Sequence, residues 1–133
     1  MKNKLLIVRI SYWVGAIMDA LTIIPMLSPK IGGLMFGISN FNPGKDYRYA
    51  MGLAASLMLG WTFLLLWADQ KPIERKGVLL LTIFPVLVGL FLSGIYAVHS
   101  SMILVDKMVP LWVIQIVIIF LFSYSYKQAK SLE

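Results

Sequence analysis

Cysteine is absent from this chain. That excludes a disulfide framework, a thiol nucleophile and a thiolate-held metal. Histidine occurs once, as His99, which excludes a multi-histidine metal centre within one chain. No glycine-rich phosphate loop, HExxH helix, carboxylate cluster or nucleophile–histidine–acid set is present. Neither a metal nor a cofactor is expected. Acidic residues are few, six against twelve lysines and arginines, giving a net charge of +6. That surplus does not point to nucleic acid. The basic residues come in short pieces beside apolar stretches, not as a patch on a soluble face.

What the chain does have is apolar sequence. Hydrophobic residues make up 59% of it, and the mean hydropathy is +0.82. A soluble domain of 133 residues has too little interior to hide so many apolar side chains. They fall in four runs, 5–27, 50–67, 78–98 and 108–122. A bilayer core about 30 Å thick needs about 20 helical residues to cross it, and the runs fit helices better than barrel strands. Backbone groups in lipid must pair internally, which again favours helices. The expected fold is an all-α integral membrane protein. It is one domain over 1–133, with four transmembrane helices in an up-down antiparallel bundle. The first run is broken by Arg9 and Asp19 and has no small-x-small cleavage site. It reads as a retained helix, not a signal peptide.

Four spans put both termini on one side. Lys2, Lys4, Arg9, Lys71, Arg75, Lys76, Lys127 and Lys130 lie there, against Lys30, Lys45, Arg48 and Lys107 on the other. The bias predicts cytoplasmic termini, as in an inner membrane. Tyr12, Trp13, Tyr49, Trp67, Trp112, Tyr124 and Tyr126 lie near span ends, as interfacial aromatics do. The charged turn around Pro72 is short, so the second and third helices are expected to be neighbours. The outer loop 28–48 is long, rich in glycine and proline, and apolar. It reads as a flap along the membrane interface or over the bundle mouth.

Small residues at four-residue spacing mark candidate packing faces. They are Gly52, Ser56 and Gly60 in the second span, and Gly89, Ser93 and Ala97 in the third. Gly15 and Ala16 precede Asp19 in the first. The stripes read as bundle interior or as the seam of a homo-oligomer. Pro25 and Pro85 permit kinks, and Thr22 and Thr82, three residues earlier, are placed to bond the backbone there.

Asp19 is the sharpest functional candidate, the one acid well inside a span. A charged aspartate near mid-membrane costs roughly 2.5–3.5 kcal/mol on insertion scales, so it should face a partner or a water-filled cavity. Tyr12 shares its helical stripe. Assigning depths by alternating helix direction brings Ser56, Ser93, Tyr96 and Gln115 to the same outer half, with Arg48 and His99 at the rim. The leading reading is an outward-facing polar pocket around Asp19 that binds or transports a small molecule, an ion or a lipid headgroup. A structural or accessory subunit whose polar residues lock helix packing is the alternative. A lipid- or isoprenoid-modifying enzyme comes third, because no second carboxylate lies at the depth of Asp19.

Overall fold

The computed structural model describes all 133 residues. The chain is helical throughout, with no strand. In order come α1 (Lys2–Leu27), α2 (Pro29–Phe36), α3 (Lys45–Asp69), α4 (Gly77–Leu81), α5 (Val88–His99) and α6 (Val105–Lys130). Four helical stretches are long and apolar enough to cross a membrane: Lys2–Leu27, Lys45–Asp69, Gly77–His99 and Val105–Lys130. Each apolar run of the sequence lies within one of them. Only 24 of the 133 residues are buried, so most of the apolar side chains line the exterior. Leu57, Phe63, Val117 and Phe120 are among those on the outer surface. A continuous apolar exterior of this kind calls for an apolar surrounding.

The third stretch is interrupted. Between α4 and α5, residues Thr82–Leu87 form a wider turn in which Phe84 is extended (φ −130°, ψ 121°) and the Phe84–Pro85 peptide is cis. Pro85 removes a donor from the helical ladder, as the sequence suggested. Thr82 Oγ1 bonds to the Val78 carbonyl at 2.8 Å, and Thr22 Oγ1 bonds to the Met18 carbonyl at 2.7 Å. Each hydroxyl bonds the carbonyl four residues before its own, not the Leu21 or Leu81 carbonyl four residues before the proline.

α1 is the central helix. It packs along α3 and α6, while α4 and α5 pack on α6. Arg9 pairs with Asp69, and Leu65 closes on Gly15, so α1 and α3 run in opposite directions. Ser11 meets Ser125 and Phe122 closes on Gly15, so α6 also runs opposite to α1. The end holding both termini and the 70–76 turn is called the termini end below. The main core lies towards it, built from Val8, Tyr12, Ala16, Leu65, Leu79, Leu87, Ile118 and Phe122. A smaller core of Ala97, Ile103 and Met108, with Phe36 and Trp112 against it, closes the opposite end.

Two expectations are corrected here. The second and third spans are not long neighbours. α3 touches α4 only near the charged turn, and Trp61 Nε1 donates to Thr82 Oγ1 at 3.0 Å. The short turn fixes proximity at its own end, and beyond it α3 packs mainly on α1 while α5 packs on α6. The small-residue stripes divide. Gly15 and Ala16 are buried in the bundle, as is Ala97. Gly52 and Gly60 have open space where a side chain would start, Ser56 is exposed, and so are Gly89 and Ser93. Close approach within the spans occurs at Gly15 and also at Gly94. A Cβ on Gly15 would lie 2.7 Å from Phe122 Cζ, and one on Gly94 would lie 2.7 Å from Trp112 Nε1. Ser56→Leu is accordingly expected to change stability by no more than about 0.5 kcal/mol. A clear drop in the melting temperature in detergent would mean that a second copy covers this face.

The outer loop does order itself. Ser28 caps α2 through a bond from the Ile31 amide, and Pro29 opens the helix. Gly37 ends it in the left-handed conformation (φ 71°), with the Ile38 amide bonded to the Gly33 carbonyl. α2 rests on α1 and on the start of α6, and Phe36 packs into the smaller core.

Candidate functional site

Asp19 lies one turn beyond Gly15 on α1, and Gln115 lies two turns before Phe122 on α6. Helical periodicity therefore turns both toward the α1–α6 seam marked by the Gly15–Phe122 contact. At 1.5 Å per residue their levels differ by about 5 Å along the bundle. The two side chains do not bond to each other. Asp19 Oδ2 and Gln115 Oε1 are both shielded from solvent, and both lack a hydrogen-bond partner. Trp112 Nε1, one turn before Gln115, is a third such atom. Its ring lies 5.5 Å from that of Phe91, between α5 and α6. Each of these three shielded atoms calls for an explanation, because buried polar groups are nearly always paired.

The other predicted members do not join them. Tyr12 is fully buried at the termini end, where its hydroxyl donates to the carbonyls of Pro72 (3.3 Å) and Arg75 (3.1 Å). It fastens α1 to the charged turn. Ser56 is exposed on α3. Ser93 is exposed and donates to the Gly89 carbonyl of its own helix at 2.9 Å. Tyr96 is 74% exposed, and His99 is exposed at the end of α5. Arg48 bonds within its own segment, to Pro43 O at 3.3 Å and Asn42 Oδ1 at 3.2 Å. Equal depth was the basis for grouping these residues, and depth does not fix the direction a side chain faces around the helix. Two of the surface depressions are open and lie near the two ends of the bundle. One, about 510 Å³, is lined by Lys30, Leu34, Asn40 and Phe41, and the other, about 420 Å³, by Leu5, Arg9, Asp69 and Lys71. Neither is lined by Asp19.

A second polar assembly escaped the sequence reading. Asp69 is only 7% exposed. It accepts from Arg9 Nε and Nη2 at 3.0 Å each, and from Trp13 Nε1 at 3.1 Å. A two-pronged guanidinium–carboxylate pair with an added indole donor leaves this carboxylate well satisfied. Nearby, the Arg75 guanidinium lies 3.5 Å over the Trp67 ring and donates to the Trp67 carbonyl. At the same end Ser11 donates to the Ile7 carbonyl and hydrogen-bonds Ser125. A signal did exist. Arg9 interrupts the first apolar run about as far from the termini end as Asp69 follows the second, and the charges are opposite. This assembly is complete within the chain and fastens helices, whereas the Asp19 seam is incomplete.

No protein-family model, no curated protein and no solved structure matches this chain.

Proposed function

We propose that this chain is a four-span membrane protein, an up-down antiparallel bundle with cytoplasmic termini, that binds a small solute at Asp19. The solute class is cationic or hydrogen-bond-donating, down to a proton, and transport of it would require an oligomer. One observation carries the reading: Asp19 Oδ2 is shielded and unpartnered, as is the amide oxygen of Gln115. A group whose task is to lock helices makes its bond, as Arg9, Asp69, Ser11 and Ser125 do. Unpartnered acceptors suit a donor ligand. Arg48 and His99 are left out of this reading, because Arg48 bonds to Pro43 and Asn42 and neither residue bonds to Asp19.

The accessory-subunit reading keeps one supporting observation. Ser56, Ser93, Tyr96, His99 and Arg48 are all exposed, where a partner's helices would cover them. Asp19 variants separate the two. Asp19→Asn preserves size and removes the ionisable group. Asp19→Leu removes a shielded, unpaired polar group, which is expected to leave stability unchanged or raise it by up to about 1–3 kcal/mol. In proteoliposomes, both variants should fold and lose pH-driven proton flux and methylammonium uptake, down to the level of protein-free vesicles. Wild-type flux in Asp19→Asn would sink the binding reading and leave the accessory one.

A further inference from the structure

The termini end carries eight basic residues, and its acids are already engaged. Asp69 is paired with Arg9, Glu74 with Lys71, and Glu133 with Lys76. Arg75 is taken up by the Trp67 ring and carbonyl. That leaves Lys2, Lys4, Lys127 and Lys130, all exposed and none in an ion pair. They are not scattered. Lys2 and Lys4 open α1, Lys127 and Lys130 close α6, and Lys4 Nζ donates to Ser131 Oγ at 3.1 Å, which ties the two helix ends together. Lys127 and Lys130 also sit in the last turn of α6, where the helix dipole favours cations. Beneath the lysines, Leu6, Ile10, Phe120 and Tyr124 are exposed. The surface thus passes from four uncompensated ammonium groups to an apolar flank along the helix axes.

We propose that this α1–α6 end is a binding surface for anionic phospholipid, with the phosphate headgroup on the lysines and the acyl chains along the exposed flank. The proposal rests on the membrane reading above, and the expected cytoplasmic placement puts the lysines on the leaflet that holds acidic lipids. Lysine near an anionic surface is worth about fivefold in affinity. Four together should favour an acidic lipid over a zwitterionic one of the same chains by more than about tenfold. Arg9 and Lys71 are poorer candidates, because a carboxylate already neutralises each.

The test is lipid retention by the full chain, purified in detergent with phosphatidylglycerol and phosphatidylcholine of matched chains and read by native mass spectrometry. Phosphatidylglycerol should be retained preferentially, and replacing the four lysines (Lys2→Gln, Lys4→Gln, Lys127→Gln, Lys130→Gln) should abolish the preference. Lys30→Gln with Lys45→Gln, at the opposite end, should keep it. High salt added to the wild-type protein should weaken the preference without any substitution. Inorganic phosphate at matched ionic strength should displace no more lipid than chloride does. Equal retention of the two lipids, an undiminished preference in the four-glutamine variant, or selective displacement by phosphate would each overturn the proposal. Orientation is read separately. Glu74→Cys in sealed right-side-out vesicles should resist an impermeant label added outside, and labelling from outside would reverse the topology without altering the lipid result in detergent.

Discussion

Phe122→Ala is expected to cost about 3 kcal/mol of stability, near the lower end of the range for deleting a buried phenylalanine. The ring is fully buried. It sits where α6 meets α1, close enough that a Cβ on Gly15 would fall 2.7 Å from its Cζ. Removing it opens a cavity among Tyr12, Ala16, Leu65 and Ile118, which share its core. The lower end applies because lipid is as apolar as the core. In a bilayer the transfer part of the loss shrinks, and the lost packing contacts remain. A denaturation midpoint in detergent equal to wild type would show that α1 and α6 are not held through this ring.

Gly15→Leu attacks the same junction from the other side, with an expected cost of about 1–3 kcal/mol. The new side chain would begin 2.7 Å from Phe122 Cζ and 3.0 Å from Leu65 Cδ1. It therefore has to push α1 away from α6 and α3 together. The two changes should not add. With Phe122→Ala in place the leucine has somewhere to go, and the double variant should be more stable than the sum of the single losses implies by about 0.5–3 kcal/mol. Strict additivity would mean that the two positions do not touch.

The contrast between Gly15 and Gly52 explains how much of the site was legible. Both glycines fall in small-residue stretches of apolar helices, and the sequence offers no means of ranking them. One lies under a phenylalanine from a helix more than a hundred residues away, and the other faces outward. Asp19 was conspicuous because a carboxylate in an apolar run is costly wherever it points. Trp112 was not, because a tryptophan near a span end reads as an interfacial anchor until its indole N–H is found shielded and unpaired. Arg9 and Asp69 were each visible as charges beside spans. That one should neutralise the other, with Trp13 as a third partner, followed only once α1 and α3 were seen side by side.

What the sequence determined by itself was the number and apolar character of the four long helices, the break near Pro85 and the gathering of basic residues at one end. Each of these is local: hydropathy, a missing N–H and a count of charges act within a few residues. Only the tertiary structure decided that α1 is central, that Gly94 as well as Gly15 is a site of close approach, and that of the eight candidate residues only Asp19 and Gln115 keep a shielded polar atom without a partner. Those outcomes depend on rotation about each helix axis. A run that is apolar on every side leaves that rotation to be set by contacts with helices distant in the chain.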